Sequence, residues 1–281
     1  MKAPDFTVAE RWAQVRCAKA QEPADLIVRS CQIVNVYSRE VHPGDIAIKD
    51  GIIVAIREGF SGEAVRILDG AGRFAVPGIV ISHGLPESRA APSSGEGRVG
   101  LASGATSVVR DVTAGEGDPP RELPQRQWTA TRLGLSITSQ APACARSADE
   151  VLTSLRSGYP TFLGPGPAQG SASLILRQLW DKGVDIRRIC LGRWDPGDGG
   201  MEAAVRLARA VIADCGGIGL APAEACAMAT LNPAIVFGLD HRVGSIAPGR
   251  FADFWLTEDL GSHAEVEVIL GGRPADSQAP R

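Results

Sequence analysis

Apolar and polar positions alternate with a period of two through the first quarter of the chain. A helical period takes over in the middle, and strand-like runs return near the end. Residues 5–21 predict a short amphipathic helix that packs through Val8, Trp12, Val15 and Ala18. Asp25–Val36 alternates in two halves. Asp45–Ile56 reads as two strands around Asp50-Gly51, a dipeptide that accepts positive φ and closes a hairpin. Val65–Leu68 and Arg73–Val76 add short strands, so residues 25–76 predict a small antiparallel sheet. From Pro77 the pattern predicts strands at Ile79–Ser82, Ala105–Asp111, Leu135–Thr138, Thr161–Gly164 and Arg188–Gly192. Helices fall at about 121–132, 147–157, 169–182 and 201–214, and Ser147 with Glu150 forms a capping box.

Pro222 starts a further helix whose buried face is Ala225, Ala229 and Leu231. Asn232-Pro233 breaks it, and a second short helix runs over Ala234–Phe237. The final strands, Phe251–Leu256 and Glu265–Leu270, have nothing local to pack on. They are expected to join the N-terminal strands, so that both chain ends build one β domain beside a parallel β/α domain.

The chain has 281 residues, ordinary apolar and charged fractions of 44% and 22%, and a net charge of -3 without a Lys/Arg run. Nucleic-acid and acidic-membrane partners therefore have no electrostatic support. No apolar run approaches the ~20 residues that span a bilayer. The first sixteen residues include acids and no apolar core, unlike a signal peptide. Six cysteines lie far apart without a C-x-x-C pair, which suits reduced thiols in the cytoplasm.

Candidate chemistry centres on PGIVISHGLPES (77–88). Its strand would deliver His83 to the C-terminal end of the first parallel strand, where such domains place their sites. Asp111 and Asp195 fall near other strand ends. The Ser-, Gly- and Pro-rich stretch Pro86–Gly100 is expected to be a loop. With only four histidines (42, 83, 241 and 263), a metal centre built from several imidazoles has few residues to draw on.

Two blocks carry a family resemblance. One is ADLIVRSCQIVNVYSREVHPGDIAIKDGIIVAI (24–56) with GRFAVPG (72–78). The other is GLAPAEACAMATLNPAIVFGLDHRVGSIAPGRFADFWL (219–256) with VEVILGGR (266–273). Together with GATSVVRDV (104–112) and CARSADEVLTSLRSGYPTFLGPGPAQGSASLI (144–175), these resemble the amidohydrolase superfamily, the adenine deaminases above all. The resemblance implies an α/β fold: a split β-sandwich of residues 1–76 and 233–281 around a truncated (β/α) barrel-like domain, 77–232. It implies hydrolytic deamination of adenine to hypoxanthine and ammonia, with a divalent metal (Mn, Fe or Zn) as cofactor and a purine-like ligand.

Residue by residue, the family's first-strand His-x-His falls on His83 and Leu85, and the Asp before that pair falls on Ile81. The Glu-Ser after it is kept as Glu87-Ser88. The family's Asp-Pro-His-Glu is replaced by Asp111-Val112-Thr113-Ala114, its Asp-His-Glu by Ser139-Gln140-Ala141, and its last-strand Asp-Asp by Trp194-Asp195. The resemblance leaves His83 and Asp111 as metal ligands, Glu87 and Asp195 as proton shuttles, and Trp194 as a stacking surface for a purine.

Residues 77–232 supply about five βα units, whereas a closed eight-unit barrel occupies roughly 250 residues. A shortened barrel is expected to leave open edges at the strand after Gly104 and the strand near Leu135. A second copy packed across that gap makes a homo-oligomer the expected state. With ligands missing, the chain is expected to be a weakly active or inactive deaminase homologue. The alternative is a non-catalytic pseudoenzyme serving as a binding or assembly module.

Overall fold

The computed structural model describes residues 6–83, 100–112, 126–131, 144–158, 160–165, 171–194 and 199–275. In chain order the first elements are α1 (Val8–Ala18), β1 (Ala24–Asn35), β2 (Glu40–Lys49), β3 (Ile52–Arg57), β4 (Ala64–Asp69), β5 (Phe74–Pro77) and β6 (Ile79–His83). The middle holds β7 (Ala105–Val112), β8 (Arg126–Thr131), β9 (Cys144–Ala145), α2 (Ala148–Arg156), β10 (Phe162–Leu163), α3 (Ser171–Asp181) and β11 (Arg193–Trp194). The end holds α4 (Gly200–Ala213), α5 (Cys215–Ile218), α6 (Pro222–Ala229), α7 (Leu231–Val236), β12 (Phe254–Thr257), β13 (Glu267–Leu270) and β14 (Arg273–Pro274).

Both chain ends enter one eight-stranded sheet, ordered β14-β13-β12-β5-β1-β2-β3, with β4 also on β1. The joint is antiparallel pairing of β12 with β5, from Phe254 opposite Pro77 to Thr257 opposite Phe74. Strand β1 serves as two strands in one. Its first half pairs β4 and its second half β5, with a register shift between Val28 and Cys31 and a positive φ at Ser30. The Asp50-Gly51 hairpin forms as expected, both residues at positive φ. The sheet is mixed rather than purely antiparallel, because β1 runs parallel to β4 and β5. The alternation along 64–77 gives the strands but not their direction.

A second set of strands is all parallel, in the order β11-β6-β7-β8. A parallel bridge from Cys190 to Phe162 carries the set on to the β10-β9 pair. Among the described residues β8 and β9 do not pair with each other, so the ribbon curls as a half-barrel. Helices α2, α3, α4 and α6 cover it through a large apolar cluster that includes Ile79, Ile81, Val108, Leu163, Leu191, Leu176 and Val205. The two sheets meet at Pro77-Gly78. Trp255 Nε1 donates to the Pro77 carbonyl at 3.1 Å and the Gly78 amide to the Asp253 carbonyl at 3.0 Å. Gly78 is required there, since a Cβ would lie 1.9 Å from Thr106 Oγ1.

Several expectations need correcting. The helix expected at about 121–132 contains β8, because Trp128, Thr129 and Thr131 suit a pleated surface and Ala105–Val112 offers a free ladder. Strand β7 is therefore interior, not an edge, with β6 on one side and β8 on the other. The strand expected at Leu135–Thr138 lies outside the described residues. Arg188–Gly192 gives way to a 3-10 turn at Ile186–Arg188 and a single bridge at Cys190, and the paired strand falls just after it, at Arg193–Trp194.

Helix α1 packs through Gln14 and Cys17 and leaves Val8, Trp12 and Val15 exposed. The Thr7/Glu10 capping box fixes its start, and Gln14 Nε2 donates to Asp50, so polar anchors override the apolar stripe. The helix break falls at Thr230 rather than Asn232-Pro233: Pro233 sits in the first turn of α7, where no amide is needed.

Candidate functional site

Parallel strands open at their C-terminal ends, and there β6, β7 and β11 come together. His83 closes β6. Its register partners are Arg110 on β7 and Trp194 on β11, while Asp111 follows Arg110 and pairs with Ala130 on β8. The backbone therefore brings His83, Asp111 and Trp194 to one edge of one sheet. The side chains of His83 and Asp111 lie outside the described residues, as do Glu87 and Asp195 altogether. Trp194 is 5% exposed and belongs to the apolar cluster under the helices.

The strand ends are held from below. Asn232 Nδ2 donates to the carbonyls of Arg187 and Ile189 at 2.7 and 3.0 Å, tying α7 to the turn that leads into β11. The Leu191 amide donates to the Met228 carbonyl at 2.8 Å, and the Ser82 amide to the Gly192 carbonyl at 2.8 Å. Thr230 Oγ1 donates to the Cys226 carbonyl at 2.9 Å, which fixes the α6–α7 corner. The sequence TLNPA thus has a direct structural use: it aims β11.

Other donors do not gather here. His42 lies in β2, its Nδ1 3.1 Å from the Pro43 carbonyl; His241 and His263 lie in turns outside the parallel strands. Cys190 is fully buried, and burial pushes its thiol up to about 12, so it offers no thiolate near neutral pH. Cys144 Sγ is buried and donates to the Arg193 carbonyl at 3.5 Å. Among the described residues no group of three or more His, Cys, Asp or Glu side chains could hold a metal ion. The described donor set by itself therefore does not fit a hydrolytic metal centre.

Three polar residues near this edge escape sequence reasoning. Ser82, Ser107 and Arg193 are 0%, 0% and 2% exposed. The Arg193 guanidinium lies 5.5 Å from the centroid of Phe162, which in turn packs on Phe237. The available signal was Ser82 and Arg193 each standing one residue before a residue already singled out. A separate cavity of about 370 Å³ lies where β12 ends and β13 begins, lined by residues that include Arg73, Thr257, Glu258, Asp259, Glu265 and Glu267. Arg73 is paired with Glu267 at 2.9 Å.

Residues 192–274 match the amidohydrolase family model. An adenine deaminase from Rhizobium meliloti (adenine deaminase 3) is 26% identical over 365 aligned positions, covering 97% of this chain and 61% of that protein. Those positions outnumber the residues of this chain, so the relative carries internal stretches that this chain lacks. The chain spans about three-fifths of the length of the curated relatives it matches along its whole extent.

Among solved structures, an enamidase of the amidohydrolase superfamily superposes with a TM-score of 0.61 at 16% identity, covering 89% of this chain and 95% of that one. An adenosine deaminase from Xanthomonas campestris with bound zinc superposes with a TM-score of 0.53 at 13% identity, covering 90% and 93%. At these identities the two structures speak for the fold alone.

Proposed function

We propose, from the chain's kinship with the adenine deaminases of the amidohydrolase superfamily, that it is a deaminase homologue with an internally shortened barrel. Its ancestral reaction is hydrolysis of adenine to hypoxanthine and ammonia, and its own turnover is weak or absent. The observation that carries this reading is the alignment with adenine deaminases along nearly the whole chain at 26% identity. The register that brings His83, Asp111 and Trp194 to one sheet edge supports it. So does the pairing of β5 with β12, which fits a split β-sandwich of residues 1–76 and 233–281 around the barrel remnant 77–232.

In this reading Trp194 stacks on a purine and Glu87 or Asp195 moves the proton between water and the leaving amine. His83 and Asp111 are the ligands available to a divalent ion, Mn, Fe or Zn. Such an ion supplies the Lewis acidity that hydrolytic deamination needs. One imidazole where the family has several is the reason for weak turnover. A second copy of the chain across the open side of the ribbon is the proposed partner, and the cytoplasm the proposed compartment. Among the described residues no helix is long and apolar enough to cross a membrane.

The alternative is a pseudoenzyme that binds or assembles without turnover; Leu85 in place of the family's second histidine favours it. The two readings separate in one experiment. The protein is purified with Zn, Mn or Fe added, its metal content measured, and adenine conversion followed. Turnover above ~10 s⁻¹, the middle of the enzyme range, overturns weak activity and the pseudoenzyme together. Slower turnover supports the weakly active homologue, and no turnover with any metal leaves an inactive homologue that binds or assembles. Light scattering tests the partner: a strictly monomeric protein removes the second copy.

A further inference from the structure

The mixed sheet has two flanks, and the chain treats them differently. Beyond β3 the chain covers the edge itself: the Ile53 amide donates to the Arg250 carbonyl at 2.9 Å, the Gly249 amide to the Ile53 carbonyl at 2.8 Å, and Ile52 bridges Phe251. On the opposite flank β4 pairs with β1, and among the described residues no strand pairs with its outer edge. The Ala24 amide donates to the Glu63 carbonyl at 2.9 Å. Strand alternation then turns the backbone groups of Val65 and Ile67 toward β1 and those of Ala64, Arg66 and Leu68 outward. Val65 and Ile67 are 76% and 59% exposed, the only large apolar strand residues so open among the described ones. Ile67 is the register partner of Ile27, which packs with Cys17 of α1, so both open side chains lie on the α1 face. Free amides and carbonyls beside bare β-branched side chains fit an added strand.

Strand β4 is its own complement in one register. A two-fold axis lays a strand antiparallel to its copy. Centring the pair on Arg66 sets Arg66 against itself and Glu63 against Asp69, like charges directly opposite. Centring it on Ile67 avoids both. Ile67 then meets the partner's Ile67, with Val65 of each copy diagonal to that pair, and the Arg66 stem lies against the partner's Leu68. Arg66 and Leu68 carry the outward backbone groups, so these two positions exchange the hydrogen bonds. We propose that two copies of this chain pair through β4, antiparallel and centred on Ile67, joining their mixed sheets into one. The proposal does not rest on the deaminase reading, and its surface is distinct from the open side of the ribbon. An interface of two short edges is small, so the dimer is weak and dissociates on dilution.

Sedimentation of the full chain over a range of concentrations tests the association, and disulfide trapping tests the register. Ile67 turns its backbone groups to β1, so its pair across the axis is not hydrogen-bonded, and the Cα atoms of such a pair lie roughly 4.5 Å apart, within disulfide reach. In Ile67→Cys with glutathione disulfide, the two introduced thiols are oxidised to one disulfide and the glutathione disulfide is reduced to two thiols. A covalent dimer that dithiothreitol reverses is expected. Val65→Cys is expected to stay unlinked, because its two copies sit about 13 Å apart along the strands. The wild type, its six free cysteines buried or half-buried, is the blank. Ile67→Lys is expected to weaken association at least about tenfold, since it removes the apolar contact and sets like charges opposite. If that variant fails to fold, the two cysteine variants carry the test. No link in Ile67→Cys overturns the pairing. Association that Ile67→Lys leaves unchanged also overturns it, and leaves the copy across the open ribbon as the partner. A monomer at every concentration removes both copies, while adenine turnover separately decides the deaminase.

Discussion

Single side chains fasten the C-terminal strands to the helical layer, and the clearest is Arg209. It projects from α4, is 7% exposed, and donates from Nη2 to the carbonyls of Gly261 and Ala264 at 2.9 and 2.7 Å while lying over the Trp255 ring. Those carbonyls belong to the 258–266 loop beside the acidic cavity. Arg209→Met is expected to lower stability by ~2–3 kcal/mol, read as a lower urea midpoint, because a charged donor and two acceptors lose each other. The thiols give a prediction with a definite sign. Burial pushes Cys31 and Cys190 up to about 12, and Cys226 also upward. A raised pKa means that the unfolded chain loses its thiol protons first. The contribution is whole below an unfolded thiol pKa of about 8.5 and is lost as pH climbs toward 12. Under reducing conditions the urea midpoint is therefore expected to fall above about pH 8.5, and Cys190→Ala to flatten that fall. An unchanged alkaline limb in the variant would refute the assignment to Cys190. The sequence suggested unpaired cysteines because no spacing in it suits a disulfide or metal pair, and all six are free; their burial had no signal in the spacing.

At the scale of elements, α1 shows what an apolar stripe cannot decide. Val8, Trp12 and Val15 have helical spacing, yet all three are exposed, at 75%, 58% and 42%, and Cys17 does the packing. Trp12→Gln is therefore expected to change stability by less than ~0.5 kcal/mol. Thr7→Ala, which removes the cap, is expected to cost ~1 kcal/mol, with both read from denaturant midpoints. Helices α2, α3 and α4 were legible from their amphipathic runs, with the Ser147 cap as a start signal for α2. Strand β8 was not, because RQWTAT carries no apolar alternation and becomes a strand only against the free ladder of β7. For the candidate site, the strand that ends at His83 was legible, as was its closeness to Trp194. The Ser82–Arg193 pairing was not, since it depends on a register between positions 111 apart that no local pattern encodes.

At the scale of the whole molecule, the joining of both chain ends in one sheet follows from a simple shortage: the last strands had no local partner. The joint is tight, as Gly78 shows. Gly78→Ala, which sets a methyl group against Thr106, is expected to destabilise by at least ~1–3 kcal/mol, and Thr106→Ala in the same chain to recover part of that loss. Failure of the double variant to recover anything would place the strain elsewhere. The same joint has a consequence for how the protein is made. The edge of β5 waits for β12, and the Trp255 to Pro77 bond spans 178 positions. On the ribosome, then, the N-terminal sheet is exposed with an open edge until Phe254–Thr257 has emerged. Translation arrested before Phe254 is expected to leave a nascent chain that holdase chaperones bind and proteases cut. Emergence of β12 and β13 would close it.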